Sequence, residues 1–163
     1  MEKFAFGDRE RHFLQVAIEL SAKGMHNGDG GPFGSIVVRG NEIVGEGWNQ
    51  VLLHNDPTAH AEVVAIRNAC QQLGTFQLTD CEIYTSCEPC PMCLGAIYWA
   101  RPQRVYFANT KEDAAAIDFD DSFIYKEINL PHDQKKIPFI ACPDPAALNV
   151  FKEWAQKDNR TLY

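Results

Sequence analysis

Asp56-Pro57-Thr58-Ala59-His60-Ala61-Glu62 and, 27 residues past Glu62, Pro89-Cys90-Pro91-Met92-Cys93 are the two stretches that decide the architecture. Asp56-Pro57 is a helix-start signal, a capping aspartate followed by proline at the first helical position. The predicted helix runs through Ala59 to about Leu73, carries Val63, Val64, Ile66 and Ala69, and stops at Gly74. Pro89 opens another helix, from about Cys90 to Ala100, closed by Arg101-Pro102.

Short β-branched runs surround these helices. Ser35-Ile36-Val37-Val38 and Glu42 to Trp48, joined by Gly40-Asn41, read as a hairpin. Cys81-Glu82-Ile83-Tyr84-Thr85 is a third strand, Arg104 to Ala108 a fourth, and Ile137 to Ala141 a fifth whose Pro138 suits an edge. An amphipathic helix over Arg9 to Met25 precedes the hairpin, and a last helix spans roughly Pro145 to Ala155. Between the first helix and the hairpin lies Gly28-Asp29-Gly30-Gly31-Pro32-Phe33-Gly34, too rich in glycine for regular structure. This order predicts an α/β fold, a three-layer α-β-α sandwich around a central mixed five-stranded sheet.

The composition sets bounds on partners. At 163 residues the chain fits one domain, 1–163, with no repeat, linker or low-complexity tract. A net charge of −7, with Lys135-Lys136 as the densest basic pair, disfavours nucleic acid and anionic membranes. A small, roughly neutral substrate fits better. No apolar run approaches the roughly 20 residues of a membrane span, and Met1 to Asp8 contains no secretory h-region. Six cysteines are present, three of them within Cys87 to Cys93, and without an export signal they read as metal chemistry. The expected compartment is the cytoplasm.

His60, Cys90 and Cys93 form a ligand set suited to zinc, one ion per subunit. Catalytic zinc sites use three protein ligands and leave a fourth position for water. Residues three apart share a helix face, so Cys90 and Cys93 can reach one ion, and a helix N-terminus favours thiolates. Glu62, two residues beyond His60, is placed near the metal without being a ligand, as general acid/base work requires. The competing arrangement adds Cys87, closing a Cys₃His structural site in an interaction module without catalysis. Cys87 falls at a strand end before Glu88-Pro89, which sets it apart from the two cysteines on one helical turn. Cys70, Cys81 and Cys142 read as small core residues.

The H-x-E…P-C-x-x-C pattern is the known signature of zinc-dependent nucleobase deaminases. On it the chain resembles the cytidine deaminase-like superfamily and, within that, bacterial guanine deaminases. The resemblance spans the whole chain. It rests on Gly30-Gly31-Pro32-Phe33-Gly34, Asn55 to Glu62, Thr85 to Pro102, and Phe119-Asp120-Asp121-Ser122-Phe123-Ile124-Tyr125-Lys126-Glu127-Ile128. The first three are shared with other purine and pyrimidine deaminases; the fourth points to guanine.

The resemblance implies hydrolysis of guanine to xanthine and ammonia, in purine catabolism or salvage. It implies zinc on His60, Cys90 and Cys93, proton shuttling by Glu62, and a second catalytic group at Asp121 that contacts substrate and helps protonate the leaving amine. It further implies purine contacts from Asn49, Phe33, Ala61, Trp99 and Tyr163. It implies a homodimer in which the C-terminal segment, about 145–163, caps an active site, in some relatives that of the partner. Read without the resemblance, Asp121 is a helix cap and Asn49 turn chemistry. Phe33 is divided between packing and ring stacking, Trp99 belongs to a core, and Tyr163 is a frayed end. Other free bases, nucleosides or triazines (guanosine, cytosine, ammeline) and tRNA adenosine are the competing substrates.

Overall fold

The computed structural model describes residues 6–162. Two compact units are present, 1–121 and 122–163. In the first, helix α1 (Asp8–Asn27) is followed by strands β1 (Gly34–Arg39) and β2 (Glu42–Trp48) and a four-residue helix α2 (Val51–His54). Then come α3 (Ala61–Leu73), β3 (Cys81–Cys87), α4 (Pro91–Ala100), β4 (Arg104–Asn109) and α5 (Lys111–Ala115).

The sheet order is β2-β1-β3-β4, antiparallel except for the parallel pair β3 and β4. The parallel pair is joined by α4, as a parallel crossover requires. The period-2 alternation of strands sorts side chains to two faces. Ile36, Val38 and Tyr84 pack with Phe13, Leu14 and Leu20 of α1. On the other face Val37 and Ile83 pack with Ala65 and Ala69 of α3 and with Ile97 and Ala100 of α4. The result is the expected helix, sheet, helix layering. Each fully buried Val or Ile contributes about 1.5–3 kcal/mol to it.

Bare backbone brings the helices close. A side chain at Gly47 would collide with the backbone of Ala61 and Ala65, and one at Gly45 with Ala65 and Ala69. These two glycines of β2 therefore seat the first turns of α3 directly on the sheet. Helix ends follow ordinary capping chemistry. Gly7 N–H donates to Glu10 Oε2 at 2.9 Å at the start of α1. Gly74, left-handed at φ 63°, ends α3 with Thr75 N–H on the Cys70 carbonyl at 3.1 Å. Arg9 of α1 donates to Glu82 Oε2 at 2.7 Å and to the Tyr84 hydroxyl at 2.8 Å, fastening the helix to β3.

Three expectations are corrected, the first being Cys142, expected in a core and found exposed. Among the described residues the sheet has four strands, not five: residues 137–141 form neither strand nor helix, and Pro138 has no N–H to give a ladder. Asp56-Pro57 does not start a helix. Asp56 Oδ1 instead accepts from Thr58 N–H (2.8 Å) and Thr58 Oγ1 (2.7 Å), a tight turn of the Asx kind. The helix begins at Ala61, with His60 as its N-cap. The next begins at Pro91, with Cys90 as N-cap.

The second unit contains α6 (Ser122–Ile128), a 3-10 turn (His132–Gln134) and α7 (Pro145–Gln156). Asp144 Oδ1 caps α7 by accepting from Ala146 N–H at 2.7 Å. Neither α6 nor α7 buries a side chain, and Leu148, Val150 and Phe151 are exposed.

Candidate metal centre and active site

Two helix N-termini converge to make the site. His60 is delivered by the loop that follows α2, where Asn55 turns left-handed at φ 51°. Gln50 N–H holds the far side of that loop by donating to the Ala59 carbonyl at 2.9 Å. Cys90 caps α4 and Cys93 sits on its first turn, where Leu94 N–H returns to the Cys90 carbonyl at 2.8 Å. His60 Nδ1 lies 3.5 Å from Cys90 Sγ and 3.6 Å from Cys93 Sγ.

Those spacings fit zinc. Tetrahedral coordination with Zn–S about 2.3 Å and Zn–N about 2.0–2.1 Å places N and S about 3.6 Å apart. Among the described residues, these three form the group whose donor atoms, all within 4.8 Å of one another, could hold a metal ion. The charges agree. Cys90 is held well below the ordinary thiol range by its hydrogen bond from Cys93 and then by His60. Cys93 is pushed up by the same sharing and by burial, and His60 is raised by its bond to Cys90. The three side chains share protons that a bound dication would replace.

Glu62, on the first turn of α3, is only 6% exposed. Burial raises its pKa, and Cys93 is within hydrogen-bond reach. A buried carboxyl poised upward and beside a metal pocket is suited to carrying a proton. Cys87 stands apart: its Sγ donates to the Thr110 carbonyl at 3.5 Å, and burial pushes its thiol up to about 11. Next to it, Glu88 N–H donates to Asn109 O (2.8 Å), and Glu88 Oε2 accepts from Lys111 N–H (3.2 Å). This segment fastens the cysteine loop to the β4–α5 junction and holds Cys87 apart from the His60, Cys90 and Cys93 group.

The remaining expected residues divide. Asn49 is buried, and its Oδ1 accepts from Gly31 N–H and Val51 N–H, both at 3.3 Å. Its backbone N–H donates to the Phe33 carbonyl at 2.9 Å. These bonds are the turn chemistry expected of Asn49, made by its amide oxygen. Ala61 is fully buried at the start of α3. Asp121 immediately precedes α6, and burial, then the Cys90 charge, raise its pKa. Trp99, expected in a core when read alone, is 64% exposed on α4. Tyr163 lies outside the described residues. Phe119 belongs to the fourth of the quoted stretches but had no role assigned to it: its ring meets Phe33 edge-on, centroids 4.9 Å apart at 86°. Its only signal was the aromatic two positions before Asp121.

A family model for the cytidine and deoxycytidylate deaminase zinc-binding region matches residues 8–109. The chain belongs to that deaminase family. Family membership makes this a hydrolytic deaminase domain that binds zinc, and His60, Cys90 and Cys93 lie within the matched region. The guanine deaminase of Bacillus subtilis (strain 168) is 53% identical over 151 residues, covering 93% of this chain and 97% of that protein. An X-ray structure of guanine deaminase from Bacillus subtilis superposes with a TM-score of 0.91 at 52% identity, covering 94% of this chain and 98% of that one. A tRNA-specific adenosine deaminase of Buchnera aphidicola is 35% identical over 106 residues, 65% of this chain and 70% of that protein. Among the described residues, no helix is long and apolar enough to cross a membrane.

Proposed function

We propose that this deaminase hydrolyses guanine to xanthine and ammonia, within purine catabolism or salvage. The observation that carries this reading is the extent of the likeness. A match of 151 residues in a chain of 163 necessarily takes in residues 13–151, and so passes well beyond residue 109 to Asp121 and α7. The tRNA-specific relative aligns over 65% of the chain. The net charge of −7 also disfavours a polyanionic substrate.

His60, Cys90 and Cys93 would hold the zinc, which would supply the Lewis acidity that makes water nucleophilic at neutral pH. Glu62 accepts the proton of the attacking water and passes it to the ring nitrogen beside C2. The C2 amino group departs as ammonia, because an amide anion is too basic to leave, and Asp121 together with Glu62 delivers the proton it needs. One water is consumed and one ammonia released per guanine. Asn49, its oxygen committed to two backbone N–H groups, turns its NH₂ donors toward an acceptor on the purine. Phe33 and Trp99 supply aromatic surface, and Ala61 lines the ring pocket at the start of α3.

The protein works in the cytoplasm as a single catalytic domain, 1–163, that pairs as a homodimer. The segment about 145–163, ending in Tyr163, closes an active site in that dimer. The exposed apolar side chains of α7 support the pairing. An ammonia-release assay with zinc-loaded protein on guanine, guanosine, adenine, cytosine, cytidine and ammeline tests the substrate. Guanine is expected to be turned over fastest; preference for any other ring overturns the reading.

A further inference from the structure

We infer that Phe119 is a positioning residue: by closing its ring over Gly31 and edge-on against Phe33, it holds the following turn so that Asp121 is presented to the reacting purine. This rests on the reading of Asp121 as proton donor given above.

Three independent features of the fold lead to it. The first is the contact between Phe119 and Phe33, rings that stand nearly perpendicular although 86 positions apart in sequence. Phe33 is itself tied to Asn49 through backbone, and Asn49 to Gly31 through its side chain. Phe119 therefore docks on the piece of chain that also orients the purine-binding amide.

The second is Gly31. Its φ does not lie in the left-handed region, so its backbone does not call for glycine. What a side chain would meet is aromatic: a Cβ would stand 2.8 Å from Phe119 Cζ and 3.0 Å from Phe33 Cε2. The bareness of residue 31 thus makes room for the ring contact.

The third is how Phe119 gets there. Thr110 and Asp113 cap α5 reciprocally, Asp113 N–H on Thr110 Oγ1 at 3.2 Å and Thr110 N–H on Asp113 Oδ2 at 2.8 Å. At the other end Asp118 turns left-handed at φ 71°. Phe119 N–H then reaches back to the Ala114 carbonyl at 3.1 Å, and Asp118 N–H to the Ala115 carbonyl at 3.2 Å. This Schellman closure reverses the chain and aims residue 119 at Gly31. Phe119 remains 46% exposed, so the ring is anchored without being a core residue. Asp121 follows two positions later.

Misplacing a reacting group by about 1 Å is enough to lose on the order of 10²-fold in rate. The test is a double-mutant cycle in zinc-loaded protein, with Phe119→Ala, Asp121→Asn and the pair, each measured for kcat and KM with guanine. Phe119→Ala is expected to lower kcat at least about tenfold at unchanged zinc content and with KM moved less. The double variant is expected to be no slower than Asp121→Asn. Gly31→Ala, which displaces the ring without removing it, is expected to lower kcat likewise, and Phe119→Tyr to restore most of it. If Asp121→Asn turns over normally, the reading of Asp121 fails and the positioning role fails with it. If Asp121→Asn is slow but Phe119→Ala keeps normal kcat, or the two losses multiply, Asp121 stands and Phe119 does not position it. Loss of folding in Phe119→Ala transfers the same cycle to Phe119→Leu.

Discussion

His60 Nδ1 lies 3.5 Å from Cys90 Sγ, although the two residues are thirty positions apart and each caps a different helix. Both helix N-termini point their partial positive charge at the same small volume, which favours thiolate, carboxylate and water-derived anions there. That juxtaposition depends on two helix starts being held together by the sheet beneath them.

Zinc retention is expected to fall with acidification. Binding needs Cys90 and Cys93 as thiolates and His60 with a free nitrogen, so protons compete with the metal and affinity drops as pH falls. Zinc per chain after dialysis across a pH series checks this; retention unchanged from neutral to about pH 4 contradicts the ligand set. His60→Ala is expected to purify without stoichiometric zinc.

Glu62→Gln is expected to keep its zinc and bind guanine while losing at least about 10² in turnover, the scale of a positioned acid/base. Near-normal turnover ends the proposed role. Asp121→Asn is expected to lower kcat/KM for guanine, and an unchanged value returns Asp121 to a helix cap.

Cys87→Ser is expected to retain full zinc and activity, because the sulfur serves the Thr110 carbonyl and not the metal. The pH sign follows from burial. The folded thiol sits at about 11, above the unfolded value near 8.5, so its contribution is complete below the unfolded value and is lost as pH rises through 11. The wild type is thus expected to lose stability in alkali more steeply than Cys87→Ser. Equal alkaline profiles, measured by thermal unfolding, contradict this.

Gly47→Ala is expected to weaken both stability and metal binding. The added carbon would stand 2.5 Å from Ala65 N and closer still to the Ala61 carbonyl oxygen, and backbone atoms of a packed helix give way poorly. Overpacking of this kind costs about 1–3 kcal/mol. In a chain of this size each kcal/mol lowers Tm by about 2–4 °C. Because the shift falls on the turn carrying His60 and Glu62, zinc affinity is expected to drop as well. A variant with lowered Tm but unchanged zinc affinity separates the two effects and rejects the second.

The legible parts of the fold were those governed by local periodicity. Glu42–Trp48 reads as a strand from its own residues, and so do the helices ending at Gly28 and Gly74, because a left-handed glycine is a local stop. Residues 137–141 carry β-propensity yet do not pair, since a strand needs a partner edge that no local window reports, and Pro138 removes a donor. Asp56-Pro57 carries a helix-start pattern, but the Thr58 donors close a turn on the aspartate first. Gly45 and Gly47 look like weak points of a strand when read alone. Only the arrival of α3 against them shows their use.

By itself the sequence determined the chemistry on offer: one imidazole, two thiols three residues apart, and a carboxylate two residues from the imidazole. These follow from residue type and from spacing within single helical turns, which do not depend on the rest of the fold. The tertiary structure alone decided that His60 meets Cys90 and Cys93 at tetrahedral spacing and that Cys87 turns to Thr110. It also decided that Asn49 spends its oxygen on Gly31 and Val51, and that Phe119 finds Phe33. Each of these is a contact between residues whose approach is set by side-chain volume and by bare glycine backbone, and packing of that kind leaves no periodic mark in the chain.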